Sequence, residues 1–382
     1  MSRLRLIIFG VAISIAILSG VYLLKKYVDN KTVIDASVMN NAELCDNADT
    51  SGYGGSSRYT LASGKIETPN LYYIISDDRI GEELAMTIDS SAREWSYHSG
   101  IKIKRVYDAT EADVIVYATK IDNVGTVLAR AYFSSSTFKR GKRLRPIILD
   151  EDDFLYKGKN ILTNKYIVLL HEWGHIFNIR HSGIKKAVLF PIYQPKLHHL
   201  TIDDILAIRD KYENHNDFYY DGKKYIWCSP KDNRNVAKNF KYKELVSNCT
   251  DVKNKGNFVC LNLITALQMI RNEYGAIKVN STFRSELCNR SIKGAASQSA
   301  HQLSQAVDLT ILNRKEFKRF KNDIINKKCI YYSLESLDVN GIGIYDHHIH
   351  IDVMDRRRRW ISTNAGKSSY TVEVETVEEI YN

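Results

Sequence analysis

The sequence predicts an α/β (α+β) protein in which an N-terminal membrane helix precedes two globular domains. Apolar residues spaced three or four apart predict a helix over residues 78–97, and apolar runs predict strands at 102–107 and 113–118. A further helix is predicted from Leu263 to Tyr274, because Gly275 then ends the apolar spacing. The chain has 382 residues, which leaves room for two domains and accessory segments.

The membrane helix is predicted over residues 6–24, which are uncharged, mostly apolar and numerous enough to cross a bilayer. Basic residues flank this segment on both sides, so the positive-inside rule does not decide its orientation. A cleaved signal peptide is the alternative, but no clear small-x-small cleavage site follows Leu24. We therefore expect an uncleaved membrane anchor.

The chain carries a formal net charge of +10, which suits a polyanionic partner. It has no motif that interleaves aromatic and basic residues, so we expect no nucleic-acid partner, and an anionic bacterial envelope fits better. The run Arg356–Arg359 before Trp360 has two interpretations. It is either a wall- or phosphate-binding patch or a solvated strand end, and the second is favoured.

Six cysteines, an even number, are compatible with export, and none forms a CxxC pair that would indicate a cysteine zinc cluster. Cys249 and Cys260 flank a polar loop and are the easiest pair to envisage as a disulfide. The sequence does not fix the pairing, and buried free thiols remain the alternative.

The most informative feature is an HExxHxxNxxH motif in the first half of the chain. His171 and His175 are four residues apart, so a helix presents both to a single metal ion. Glu172 adjoins the first ligand, where a carboxylate can accept a proton from the attacking water. The helix must end before His181 for that ring to reach the same ion, and Asn178 suits a left-handed turn there. A buried helix with chance histidines is the alternative, and the third histidine argues against it.

This motif and the residues AVLFPIY, from Ala187 to Tyr193, resemble the matrixin branch of the metzincin zinc endopeptidases. That family has HExxHxxGxxHS followed by ALMYPxY. Here Asn178 replaces the family glycine and Leu189 replaces the family methionine, which has a similar volume. The resemblance implies a metzincin-like domain whose three motif histidines hold a zinc ion. It also implies that Pro191 and Tyr193 wall the pocket for the substrate residue after the cut.

A second set of candidate ligands lies in the C-terminal half. Residues 281–308 contain FRS, an asparagine, GAA and SAHQLSQAVD in that order, and residues 341–353 read GIGIYDHHIHIDV. This arrangement resembles the zinc D-Ala-D-Ala carboxypeptidase and L,D-endopeptidase family of cell-wall enzymes. The resemblance implies a smaller α+β zinc peptidase domain with an antiparallel sheet. In it, His301, Asp308 and His350 would hold a second zinc ion and leave a fourth position open.

The same resemblance implies roles for residues beside this second ion. Arg284 matches the family arginine that binds substrate near the scissile bond. His348, two residues before the last ligand, can stabilise an oxyanion or donate a proton. The family's acidic general base precedes the last ligand, and Asp346 is the candidate in that window. Ser304 replaces a family glycine, and a basic domain with scattered histidines is the alternative for the whole block.

The predicted organisation has six parts. They are a membrane anchor at 1–25, a flexible tether at 26–66, a matrixin-like metallopeptidase domain at 67–213, a linker at 214–236, a D-Ala-D-Ala carboxypeptidase-like domain at 237–361 and a tail at 362–382.

These features predict a membrane-anchored zinc metallopeptidase with two active sites, two zinc ions and its catalytic domains outside the cytoplasm. The first domain would cleave proteins, and the second would cleave stem or cross-link peptides of peptidoglycan during cell-wall degradation or remodelling. One alternative is a single active peptidase domain beside a wall-binding or structural module, as in a phage protein for lysis or wall penetration. Another is a structural envelope or virion protein with vestigial sites, which the complete ligand sets argue against.

Overall fold

The computed structural model describes residues 59–62, 64–122, 127–131, 144–155, 164–363 and 366–368. The chain divides into two compact units, of which the first includes residues 59–200 and 207–212 and the second includes 201–206 and the residues from 213 onward. The predicted membrane helix, most of the tether and the end of the tail lie outside the described residues. Within the described ranges, no helix combines the length and the apolar character needed to cross a bilayer.

The first unit is built around a five-stranded sheet. Its strands and those of a separate pair are β1 (Tyr59–Leu61), β2 (Asn70–Ile75), β3 (Lys102–Arg105), β4 (Val114–Thr119), β5 (Ala129–Ala131), β6 (Arg145–Asp150) and β7 (Ile179–Ser182). The order in the sheet is β3-β2-β4-β6-β5. The first four strands run parallel to one another, and β5 at the edge runs antiparallel to β6. β1, which falls within the predicted tether, pairs with β7. The predicted strands at 102–107 and 113–118 are confirmed as β3 and β4.

The helices of the first half are α1 (Glu82–Ser99), α2 (Glu151–Phe154), α3 (Lys165–Ile176) and α4 (Ile202–Tyr212). α1 confirms the helix expected near 78–97, and it ends at Gly100, whose φ of 78° is left-handed. Trp95 of α1 donates from Nε1 to the carbonyl of Leu170 at 2.8 Å and stacks on Phe177. These contacts hold α3, which carries the HExxH residues, against α1.

The second unit contains a larger, mainly antiparallel sheet. The strands of this unit are β8 (Phe218–Tyr220), β9 (Lys223–Cys228), β10 (Asn235–Ala237), β11 (Phe240–Lys241), β12 (Asn257–Cys260), β13 (Ile277–Ser281), β14 (Ala306–Ile311), β15 (Gly341–Tyr345), β16 (Ile349–Asp352), β17 (Arg358–Thr363) and β18 (Gly366–Ser368). Six of them form a sheet in the order β13-β14-β16-β15-β17-β18, in which the β15–β17 pair is parallel. β12, β9 and β8 form a smaller antiparallel sheet, so much of the segment predicted as a linker is folded.

The helices of the second unit are α5 (Leu261–Tyr274), α6 (Glu286–Ser291), α7 (Arg314–Ile325) and α8 (Cys329–Glu335), with 3-10 turns at Tyr242–Leu245 and Ala300–Leu303. α5 confirms the predicted helix and ends at Gly275, whose φ is 80°. Its residues Leu263, Leu267 and Ile270 are fully buried. The mixture of helices and sheets in the two units confirms the predicted α+β class.

The structure corrects the expected disulfide. Cys249 is bonded to Cys288, with the two Cα atoms 5.7 Å apart, and the bridge expected between Cys249 and Cys260 is wrong. The reason is that Cys260 ends strand β12, whose pairing with β9 carries this thiol into the buried core. Cys228 and Cys260 are buried free thiols, which was the alternative that the sequence left open.

Candidate metal centres

The first candidate centre lies at the end of helix α3. Ligand atoms of His171, His175 and His181 all lie within 4.8 Å of one another, and the Nε2 atoms of the first two are 3.0 Å apart. The Nδ1 atoms of these two rings lie 2.8 Å from the carbonyls of Val188 and Ile179. A carbonyl can only accept, so each Nδ1 donates its proton and leaves an Nε2 lone pair facing the common point. Three imidazoles in this arrangement fit zinc.

The turn that brings in the third histidine is formed as the sequence predicts. α3 ends at Ile176, Asn178 has a φ of 58°, and its N–H donates to the carbonyl of His175 at 2.8 Å. Strand β7 then begins at Ile179 and carries His181 back toward α3. The asparagine therefore supplies the left-handed residue for which glycine is otherwise favoured.

Glu172 lies fully inside the first unit beside these rings. Burial raises the pKa of its carboxyl to about 8, although a hydrogen bond from the backbone of Ala131 lowers it. Its Oε2 atom has no hydrogen-bond partner among the described residues. A buried carboxylate oxygen without a partner is costly, so it indicates a group kept for a ligand.

A cavity of about 20 Å³ adjoins Glu172 and is bordered by Pro191 and Tyr193, the two residues predicted to wall a substrate pocket. The hydroxyl oxygen of Tyr193 accepts a hydrogen bond from the backbone N–H of Asn164, which fixes the tyrosine ring at the start of α3. The side chain of Asn164 in turn caps α3 by accepting from the N–H of Ile167.

The second candidate centre is formed by the two strands β14 and β16 and a 3-10 turn. Ligand atoms of His301, Asp308 and His350 lie within 4.8 Å of one another. The Asp308 Oδ1 atom is 3.2 Å from His301 Nε2 and 2.9 Å from His350 Nδ1. Asp308 on β14 pairs directly with His350 on β16, so the sheet register brings these two together. Two nitrogens and one carboxylate oxygen are a donor set typical of catalytic zinc.

Ser304 occupies the turn between His301 and Asp308. Its φ is 59°, in the left-handed region that favours glycine, which gives a physical reason for the family glycine at this position. His301 precedes this turn in a 3-10 helix capped by Ser299, and its Nδ1 lies 2.5 Å from the carbonyl of Thr282. Its Nε2 therefore faces the other two candidate ligands.

Asp352 is a part of this centre that the sequence reasoning missed. Its Oδ2 lies 3.1 Å from His350 Nε2, opposite the nitrogen that faces the centre, and its side chain is fully buried. Burial raises the pKa of Asp352, but the hydrogen bond and charge of His350 and the charge of Arg358 outweigh it, so the pKa is lowered. A signal was available, because residues two apart on a strand share a face.

The three residues predicted to act in catalysis at the second centre differ in their contacts and their exposure. Arg284 forms an ion pair with Asp308 and donates from Nε to the hydroxyl of Ser281 at 2.9 Å. His348 precedes β16 rather than lying within it, and its ring stacks on Tyr345 with centroids 4.2 Å apart. Burial lowers the pKa of His348, and the positive neighbours His350 and Arg284 act in the same direction against Asp308. Asp346 is exposed in the β15–β16 turn.

Comparison with known proteins identifies a family for each half of the chain. The matrixin family matches residues 68–213 and the peptidase M15 family matches residues 238–352. Stromelysin-3 of Xenopus laevis is 28% identical over 157 residues, which are 38% of this chain and 31% of the relative. Karilysin of Tannerella forsythia is 27% identical over 170 residues, 41% of this chain and 35% of the relative. The hatching enzyme of Paracentrotus lividus is 28% identical over 130 residues, 31% of this chain and 21% of the relative.

The chain thus spans about a third or less of the length of these relatives. The matched ranges contain the first and the second ligand cluster, respectively. Matrixin and M15 peptidases both depend on zinc, in agreement with the two donor sets. The chain accordingly joins a region that matches the matrixin family to a region that matches the peptidase M15 family, which supports a zinc-dependent metallopeptidase.

Proposed function

We propose that the chain hydrolyses peptide bonds at two zinc centres, in proteins at the first and in peptidoglycan stem or cross-link peptides at the second. The observation that carries this proposal is that each unit contains a complete three-residue donor set with ionisable groups beside it. We propose one zinc ion for each set, held by the three histidines of the first and by His301, Asp308 and His350 of the second.

At the first centre, zinc would lower the pKa of a water molecule and polarise the scissile carbonyl. Glu172 accepts the proton of the attacking water and delivers it to the leaving amine. Its buried position supports this role, because burial raises the pKa of the carboxyl and makes its carboxylate a stronger base than that of an exposed glutamate. Pro191 and Tyr193 border the adjoining cavity and are positioned to contact the substrate residue after the cut.

At the second centre, Arg284 and His348 are the groups available to hold the substrate. The arginine forms an ion pair with Asp308, and its side chain is 14% exposed. A guanidinium has five N–H donors, so it can bind a carbonyl or carboxylate while remaining paired. His348 interacts electrostatically with Asp308 and His350. Its imidazole can donate a hydrogen bond to a developing oxyanion. The peptidoglycan substrate is inferred from the M15 family, and Asp346 remains the proposed general base.

We further propose that residues 6–24 anchor the chain in a membrane and that both domains act outside the cytoplasm, where peptidoglycan lies. The apolar length of this segment and the positive charge of the chain support the proposal. Its setting would be cell-wall degradation or remodelling, by a bacterium or by a phage.

A second function is favoured by one observation at the M15 centre. The ion pair between Arg284 and Asp308 neutralises a proposed ligand, and Asp346 is exposed in its turn. A second domain with this arrangement could bind wall peptides without cleaving them, and only the first centre would then be active.

The deciding experiment is mass spectrometry of purified peptidoglycan and of a denatured protein after incubation with the chain, with zinc or with a chelator. We expect zinc-dependent fragments from both substrates and about two zinc ions per chain by metal analysis. Fragments from the denatured protein, with none from peptidoglycan, would support the binding-module alternative. Fewer than two ions after zinc reconstitution would contradict the two-centre proposal.

A further inference from the structure

Strand β17 (Arg358–Thr363) follows the M15-matched range, which ends at residue 352. It contains the end of the arginine run for which the sequence left two interpretations, a solvated strand end or a wall- or phosphate-binding patch. Arg356, Arg357 and Arg358 are exposed at the start of β17, in agreement with the solvated strand end, and the run also forms ion pairs. Arg357 and Arg359 form ion pairs with Glu335, and Arg358 forms one with Asp352.

The sheet register aligns β17 with the second centre. Gly343 of β15 pairs with His350 on one side and with Trp360 on the other, and Gly341 pairs with Asp352 and with Arg358 in the same way. These two rows are two residues apart, so their side chains share a face of the sheet.

The two glycines of β15 allow side chains to meet across that strand. A Cβ placed on Gly343 would overlap the indole of Trp360, and a Cβ placed on Gly341 would overlap the carboxylate of Asp352. Neither glycine has a positive φ, so these positions require the lack of a side chain rather than an unusual backbone conformation.

One connection from β17 leads to a proposed ligand. A guanidinium nitrogen of Arg358 lies 2.9 Å from Asp352 Oδ2, and the same oxygen lies 3.1 Å from His350 Nε2. The Oδ1 atom of Asp352 accepts from the N–H of Met354 at 3.2 Å, so the carboxylate is held from both ends. A held carboxylate fixes the ring orientation and tautomer of a metal-binding histidine.

The other connection leads to His348. The Trp360 ring lies 5.3 Å from the ring of His350, and its Nε1 donates to the hydroxyl of Tyr345 at 3.1 Å. The Tyr345 ring in turn stacks on His348 with an interplanar angle of 9°. Fixing the phenol therefore restricts the plane in which the His348 imidazole lies.

We propose that β17 is a positioning strand of the second centre, in which Arg358 orients His350 through Asp352 and Trp360 orients His348 through Tyr345. This inference rests on the proposed function, because it requires the second cluster to bind zinc. The two residues should have separate effects: Arg358 on zinc affinity and Trp360 on turnover.

The metal effect is tested by zinc competition against a chelator, using the full chain with His175→Ala to remove a ligand of the first centre. Arg358→Gln should weaken zinc binding about 10- to 100-fold, the usual range for a lost partner of a metal ligand. Arg356→Gln, the matched control, removes the same charge from an exposed neighbour and should leave zinc affinity unchanged. Equal affinities for the two variants would overturn the role of Arg358.

The turnover effect is tested by kinetics on purified peptidoglycan in the chain with both centres intact. Trp360→Phe keeps an aromatic ring over Gly343 but removes the N–H, so kcat should fall about tenfold or more while KM and zinc affinity stay unchanged. Tyr345→Phe should give a similar loss, and the double variant should lose little more, because both act through one connection. Unchanged kcat in both single variants, or fully additive losses, would overturn the role of Trp360.

Two controls separate this inference from its alternatives. Protein cleavage by the first centre should be unchanged in Arg358→Gln and Trp360→Phe, and thermal unfolding should show that both variants remain folded. If the unsubstituted second centre binds no zinc and releases no peptidoglycan fragments, the proposed function fails. If it does both while all variants match it, the positioning strand alone fails.

Discussion

Leu189 packs directly against Gly174, the glycine between the two histidines of helix α3. A Cβ placed on Gly174 would overlap Cδ2 of Leu189 and would lie 3.1 Å from the Trp95 ring. Leu189 is fully buried and stands where the matrixin resemblance has methionine. The glycine thus lets an apolar side chain approach the backbone of the helix that carries two of the proposed ligands.

The first prediction follows from this contact. Gly174→Ala should destabilise the first unit by about 1–3 kcal/mol, because an added methyl group overfills a packed core. Leu189→Met, which nearly conserves volume, should cost less than about 1.5 kcal/mol. Urea unfolding measures both changes. Gly81→Ala is the control, since no atom lies within 4 Å of a Cβ there. Equal stability of the two alanine variants would contradict the tight contact.

The second prediction concerns Glu172. Glu172→Gln preserves the shape of the side chain but cannot accept a proton, so cleavage of a denatured protein should fall roughly 10²- to 10⁴-fold. Zinc content should stay unchanged, because the three histidines are intact. Both quantities are measured on the same preparation, by fluorogenic proteolysis and by metal analysis.

Glu82→Gln is a suitable control for this variant, since it makes the same chemical change at an exposed position in the first turn of α1. It should leave proteolysis unaltered. Undiminished proteolysis in Glu172→Gln would remove the proposed general base, and loss of metal would show that the carboxylate is structural instead.

The first cluster was predictable because its geometry is local. Helical spacing places His171 beside His175, and a left-handed Asn178 redirects the chain within three residues of His181. No long-range information is needed for these ligands to converge. The same holds for α1 and α5, whose ends are marked by glycines with positive φ.

The second cluster depends on pairing between distant strands, which only the family resemblance could anticipate. Asp308 meets His350 through the register of β14 with β16, across 42 residues of sequence. The Cys249–Cys288 disulfide also spans 39 residues and involves α6. The position of two cysteines on either side of a loop therefore did not indicate which pair is bonded. Asp352 was missed because its role depends on which nitrogen of His350 faces the metal cluster.

The third prediction addresses the independence of the two centres. His350→Ala should remove a ligand of the second zinc, lower the zinc content by about one ion per chain and stop release of muropeptide fragments. Cleavage of a denatured protein by the first centre should continue, because each donor set lies within its own unit. Mass spectrometry and metal analysis measure the two outcomes. Loss of both activities in a chain that remains folded would show that the centres are coupled.

The fourth prediction concerns acid stability and His98, which is buried in α1 of the first unit. Burial lowers its pKa to about 3, and the positive charge of Arg209 acts in the same direction. An unfolded chain restores the ordinary pKa of about 6.5, so below that pH the unfolded state binds a proton that the folded state does not. The unfolding free energy should therefore be insensitive to His98 above about pH 6.5 and should fall below it by up to about 1.4 kcal/mol per pH unit.

His98→Gln removes this titration while keeping a polar side chain of similar size. Urea unfolding of the zinc-saturated chain between about pH 7 and pH 5 should show a shallower loss of stability in the variant than in the unsubstituted protein. Zinc saturation keeps the motif histidines bound, so their titration does not contribute to the difference. Equal slopes for the two proteins would mean that His98 is solvated or charged in the folded state, and that its burial beside Arg209 does not govern acid sensitivity.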